Sequence, residues 1–316
     1  MRKRILSLII IAIIFFSLFS LSSVKAGKSA PADPWGQKEV LNYLFWTADP
    51  KIEQDVIKLQ KDLRLDDATM EKLKELGLEE RLIIGELDHG EALESVSANN
   101  FNNKVEALFA NIDSETRKVL GSKYDDFRKW IRKWWKDENE YRKKWIEEKM
   151  QEQGYSILSD YYRGLVFATQ YNGHTSSEVA LPDKYVKFAN IGWWDDIPSA
   201  IRPRYSNPPY TVNVYYDVTG KSVLNVKVLD AGPWNIDDNY WDSANGSNPR
   251  RLFRDLPLGE PEAQAAYQQG YNGGKDQFGR TVSNPAGIDL TPYIASRLGL
   301  GYMQNDWIWV NFSRLP

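Results

Sequence analysis

The chain has 316 residues, 42% of them hydrophobic, and a formal charge of −3. That length has room for about two domains with cores of their own. The absence of cysteine excludes disulfide staples, thiolate metal sites, cysteine nucleophiles and a lipid-modified cysteine anchor.

Arg2, Lys3 and Arg4 precede an apolar run from Ile5 to Leu21, and Val24-Lys25-Ala26 offers small residues at the cleavage positions. Residues 1–26 therefore read as a signal peptide. Its removal takes away four positive charges and leaves a mature chain of −7, a poor match for nucleic acid. The protein is expected to be exported, secreted or attached to the cell envelope, with membrane contact only through this segment if it stays uncleaved. An exported chain without cysteine suggests a bacterium.

Residues 34–152 are charged, helix-periodic and poor in proline and glycine, and read as a helical domain. Val56, Leu59 and Leu63, then Met70, Leu73 and Leu76, recur at helical spacing. Asp66-Asp67 makes the turn between them, and Gly77 is expected to end the second helix. In "DDFRKWIRKWWKDENEYRKKWIEEKM", Phe127, Trp130, Ile131, Trp134, Tyr141 and Trp145 fall on one core-facing stripe, with Trp135 off it and basic residues on solvated flanks.

The two histidines, His89 and His174, lie in different halves, which excludes a histidine metal cluster. The group Asp88, His89 and Glu91 reads as a solvated loop, because neighbours along a helix do not face one site. No metal and no cofactor are expected.

After Gly154 the chain turns to β-branched and aromatic runs with frequent Gly and Pro, so residues 156–316 read as a β domain. Val212, Val214 and Tyr216 alternate along one strand, Thr219-Gly220 turns, and Leu224, Val226 and Val228 alternate along the next. "DWIWVNF" reads as a last strand apolar on both faces. Between them Asn235 to Pro285 forms a long excursion with one short helix near Pro261 to Gln269, a length that is commonly functional. Its "GYNGGKD" lacks the ending and the preceding strand of a phosphate loop. Asp237, Asp238, Asp242 and Asn245 fit no standard calcium spacing.

Asp230 ends "VLNVKVLD" before the tight turn "AGPW", and Asp289 stands directly before Thr291-Pro292, an N-cap and first-turn proline. Spacing alone makes the first a turn-capping residue and the second a helix-start residue. Where a closed barrel brings both loops together, two carboxylates share a cleft and differing burial separates their pKa values. Glycoside hydrolysis usually uses two such groups, whereas attack by the sugar's own hydroxyl proceeds with one acid/base group.

"KSVLNVKVLDAGPW" with "AGIDLTPYIASRLGLG" resembles the double-psi β-barrel of the rare lipoprotein A family, and is similar to the barrel of expansins. "FATQYNG" resembles the first strand, with Thr169 the matching threonine, and Thr175, Leu181 and Pro182 are in step with a further family segment, where Glu178 stands in place of a histidine. The resemblance covers roughly Gly164 to Phe312 and does not extend to the helical half.

It implies a six-stranded double-psi β-barrel with a long inserted loop, which together with the helix-periodic first half gives an α+β fold: an N-terminal α-helical domain followed by that C-terminal barrel. It further implies action on wall polysaccharide, most of all peptidoglycan, as a lytic transglycosylase-like enzyme. Asp289 is then the acid/base, Asp230 its partner, and Glu178 a replacement proton shuttle. The alternatives are an expansin-like module that binds or loosens glycan without cleaving it, and a protein-interaction domain. Thr169 and the loop aromatics Trp193, Trp194, Trp234, Tyr240 and Trp241 are the candidate sugar contacts.

Overall fold

The structure, a computed structural model, describes residues 33–91, 97–152, 161–206, 210–242 and 250–313. The expected signal segment lies outside them. Among the described residues no helix is long and apolar enough to cross a membrane.

Five helices come first: α1 (Val40–Trp46), α2 (Pro50–Leu63), α3 (Asp67–Glu91), α4 (Ala98–Leu120) and α5 (Tyr124–Glu152). Local chemistry sets several of their ends. Asp49 caps α2, accepting from the amides of Lys51 and Ile52 with Pro50 at the first position, and Ser97 caps α4.

Gly77 does not end a helix as its position suggests; α3 runs straight through it. Its reason is space. A Cβ there would stand 2.7 Å from the Leu41 carbonyl carbon and 2.9 Å from the Asn42 amide, both backbone atoms of α1. Asn42 locks the crossing by donating its side-chain amide to the Gly77 carbonyl at 3.1 Å and its backbone N–H to Glu80 at 2.8 Å. Gly77→Ala is expected to destabilise the protein by about 1–3 kcal/mol in chemical denaturation, the cost of overpacking a rigid contact. A gain in stability, the normal result for an exposed helical glycine, would contradict this crossing.

The second half contains β1 (Tyr161–Gln170), β2 (Glu178–Leu181), α6 (Lys184–Asn190), β3 (Thr211–Tyr216), β4 (Lys221–Ala231), α7 (Glu262–Gln269), β5 (Ala286–Leu290), α8 (Pro292–Leu298) and β6 (Asp306–Ser313). The six strands close a barrel in the order β1-β5-β2-β4-β3-β6. β1 pairs parallel with β5 and β2 parallel with β4, and the other four pairings are antiparallel.

The alternation expected for the β3–β4 hairpin places Val212, Val214, Val226 and Val228 inside. Leu224 departs from it and is 57% exposed. A bulge shifts the register after Val212, and Asn225 takes a left-handed φ of 55° while its amide donates to Asn213, so the residues before it change face.

β6 is apolar on both faces, as read. Ile308, Val310 and Phe312 fill the barrel, while Trp307 and Trp309 turn outward into a core shared with the helices. Tyr43 of α1 stacks on Phe167 of β1 at 5.4 Å, Trp145 meets Trp307 edge-on at 6.2 Å, and Trp135 meets Tyr267 of α7 at 5.0 Å. Trp135, expected off the apolar stripe, is thus buried, because α5 packs against helices on one side and against α7 on another.

The excursion from Asn235 to Pro285 holds α7 and packs against the barrel and the helices over much of its described part, with Leu252 and Phe278 left exposed. Three of its aspartates each meet a base: Asp237 to Lys184 at 2.7 Å, Asp238 to Arg251 at 2.6 Å and Asp242 to Arg250 at 2.6 Å. Asp88, expected in solvent, is buried and pairs with Arg280 at 2.9 Å. The side chains of His89 and Glu91, and Asn245, lie outside the described residues.

Burial pushes the carboxyl of Glu262 up to about 9, that of Asp306 to about 7 and that of Asp276 to about 6. Each folded value exceeds the unfolded one, so the contribution to stability is full below about pH 4 and is lost as pH rises through those values. Burial lowers Lys38 to about 7, below its unfolded value, so its penalty is constant below that pH, is relieved only above it, and adds little to the difference between pH 5 and pH 7. The melting temperature is expected to be higher at pH 5 than at pH 7 by calorimetry. An equal or higher value at pH 7 would contradict the burial of these carboxyls.

Candidate functional site

Barrel register brings the sequence-predicted residues into one row. Thr169 on β1 pairs with Asp289 on β5, Asp289 pairs with Ala180 on β2, and Ala180 pairs with Asp230 on β4. The two aspartates are therefore two strands apart, roughly 10 Å from twice the interstrand spacing. Their neighbours Ala168, Ile288 and Leu290 belong to the barrel interior, so alternation sends Thr169 and Asp289 to the outer face. Asp230 lies two residues beyond the interior Val228, and the register shift at Val179/Ala180 pairs it with Ala180 and brings it to that same outer face. Glu178, two residues before Ala180, shares that face.

The members of this row differ sharply in access. Asp289 is fully buried. Thr169 Oγ1 donates to its Oδ1, and the guanidinium of Arg81 stands 3.6 Å from the same oxygen. Arg81 comes from α3, in the helical half, and also donates to the Gln170 carbonyl at 3.0 Å. The helical half therefore lies directly over the aspartate. A general acid must come within about 2.6–3.2 Å of the proton it transfers, and no exposed surface of Asp289 allows that approach.

Glu178 is also fully buried and is not placed as a proton shuttle. Its carboxylate accepts from the Tyr171 hydroxyl at 2.9 Å and from the backbone N–H groups of His174 and Thr175, both at 2.7 Å. It pins the turn between β1 and β2. Gly173 fits beneath it, where a Cβ would stand 2.6 Å from Oε1. Burial first, and then Glu178, raise the pKa of Tyr171 and keep its hydroxyl a donor.

Asp230 alone of the three carboxylates keeps an open side. Its Oδ1 accepts from the Ala231 amide at 2.8 Å and lies 3.7 Å from Lys187 Nζ of α6, while His174 Nε2 stands 3.7 Å from Oδ2, and the His174 side chain is well exposed. Beyond α6 the chain turns and presents Trp193, 53% exposed, and Trp194, 36% exposed. Trp193 leans on Phe188 at 5.8 Å, and Asn190 ties the helix end to the Leu229 carbonyl, beside Asp230.

Three of the five aromatic candidates are not sugar platforms. Trp234 is buried between the halves: its ring meets Phe101 at 6.1 Å, its indole N–H donates to Asn284 and its backbone N–H to Asp88. Tyr240 and Trp241 lie in the barrel core, Tyr240 donating to the Gly287 carbonyl and Trp241 stacking on Phe312 at 4.6 Å. Tyr240 and Trp241 belong to the excursion and Trp234 directly precedes it, and all three are packed rather than looped into solvent. Among the described residues no group of three or more His, Cys, Asp and Glu is placed to hold a metal ion.

Sequence reasoning missed Arg81, 208 positions from Asp289 on an ordinary charged helix. His174 is likewise not among the residues the sequence points to; its place four residues before Glu178 in "HTSSE" is the available signal.

A family model described as a domain of unknown function (DUF8814) matches residues 155–311, the barrel half of the chain. No curated protein and no solved structure matches the chain.

Proposed function

We propose that this is an exported bacterial envelope protein whose barrel, of double-psi type, binds wall polysaccharide, peptidoglycan first, without cleaving it. The observation that carries the reading is the contrast within one row, Asp289 sealed under Arg81 and Asp230 open beside His174 and Lys187, with Trp193 and Trp194 exposed beyond α6. A carboxylate flanked by basic groups offers both acceptors and donors to sugar hydroxyl and acetamido groups. Exposed indole faces offer the stacking surface that sugar rings use.

The double-psi assignment draws on the two parallel pairs, β1–β5 and β2–β4, held together by the antiparallel contact of β2 with β5. The lytic transglycosylase reading has no support from the access of Asp289. The wall-binding reading keeps the resemblance of the barrel segments and assigns their aspartate a structural task.

Co-sedimentation with purified peptidoglycan tests it. Replacing Trp193 and Trp194 together by alanine is expected to weaken binding about tenfold, at about 0.5–1.5 kcal/mol per ring. Asp230→Asn is expected to weaken it further. Wild-type protein that fails to sediment, or a triple variant that sediments fully, would overturn the reading.

A further inference from the structure

Between the two halves, on a face distinct from the aspartate row, lies a cavity of about 490 Å³ bounded by the C-terminal turns of α5, by β1, by the loop 256–260 and by α7. Its volume falls in the range of small-molecule sites, roughly 300–1,000 Å³. The floor is apolar, formed by Ile146, Met150, Leu165, Leu256 and Leu258.

Polar groups stand above that floor. Gln264 is only 5% exposed, and its Oε1 has no hydrogen-bond partner. A buried amide oxygen left unmatched is destabilising until a donor reaches it. Gln264 lines the cavity, so this oxygen is an acceptor at its wall left for a donor to meet. Gln268, one position along α7 from the buried Tyr267, adds a second amide. Lys143 and Glu147, one turn apart on α5, place one positive and one negative charge at the edge.

We infer that this cavity is a binding site for a short apolar peptide. The leucine-sized side chain occupies the floor, a peptide N–H meets Gln264, and the terminal carboxylate and ammonium lie toward Lys143 and Glu147. Each part of that ligand answers a feature of the cavity: volume, apolar floor, unmatched amide and paired opposite charges. The site does not depend on the wall-glycan reading, since none of its residues belongs to the aspartate row.

Titrating the full chain with the dipeptide leucyl-leucine, followed by calorimetry and by quenching of Trp fluorescence, tests the site. Saturable binding is expected, with glycyl-glycine at least tenfold weaker because it leaves the floor empty. Gln264→Leu is expected to weaken leucyl-leucine at least fivefold, and Gln268→Trp, which fills the space from the rim, to abolish binding. Melting curves of both variants establish that they are folded. Non-saturable binding, equal affinity for glycyl-glycine, or unchanged affinity in the two folded variants would overturn the assignment.

Discussion

Arg81→Met is expected to lower the stability of the protein by about 3 kcal/mol or more, the usual result of removing one member of a buried ion pair. Asp289 would stay fully buried with the charge 3.6 Å away removed. The loss of the Arg81 donation to the Gln170 carbonyl adds to the effect. Combining Arg81→Met with Asp289→Leu is expected to cost less than the sum of the two single changes, because neither charge then remains buried without the other. Denaturant titration of the four proteins gives the coupling directly. A coupling near zero would mean that Arg81 and Asp289 do not sense each other, and the cover over the aspartate would lose its physical basis.

The second large effect concerns the barrel without its helices. Residues 161–313 produced alone are expected to be insoluble or unfolded, although the family match covers nearly the same stretch. The outer face of the barrel carries Leu165, Phe167, Trp234, Trp307 and Trp309, all buried in the shared core. At about 2 kcal/mol for each buried side chain, exposing these five costs on the order of 10 kcal/mol, comparable to the whole stability of a domain, about 5–15 kcal/mol. Size-exclusion chromatography and circular dichroism decide the matter. A monomeric, cooperatively melting barrel fragment would contradict the shared core.

These two results bear on one another. The helical half is not an appendage resting on a finished barrel, because the same surface that hides Asp289 also carries the principal aromatic contacts between the halves. Tyr43 on Phe167 and Trp145 on Trp307 give that interface the character of a domain interior rather than of a surface that opens in use. The aspartate beneath it holds the two halves in register.

Much of this arrangement was legible in the chain. The change of grammar after Gly154, the hairpin and the two-faced last strand all rest on local periodicity, which sequence records directly. Thr169, Asp230 and Asp289 were legible as a set only through the resemblance of their segments, and the register of four strands places them in one row.

What was not legible depends on partners distant in sequence. Gly77 reads as a stop in isolation and is a contact point only because α1 crosses there. Trp135 lies off the apolar stripe of its own helix and is buried by α7, more than 120 positions away. Tyr240 and Trp241 sit in, and Trp234 directly precedes, a stretch whose glycines and acidic residues suggest an open loop, but Asp237, Asp238 and Asp242 meet Lys184, Arg251 and Arg250 and the chain around them closes into the core. Glu178 stands where the resemblance has a histidine; its role follows from the turn it pins, which spacing does not reveal.

The most direct test incubates the chain from residue 27 onward, wild type and Asp289→Asn, with purified peptidoglycan, following co-sedimentation and analysing soluble products by mass spectrometry. The account predicts that wild-type protein sediments with the wall and releases no anhydro-ended muropeptides. Release of such products by the wild type and not by Asp289→Asn would make Asp289 an acid/base after all, and would contradict a permanent cover by Arg81.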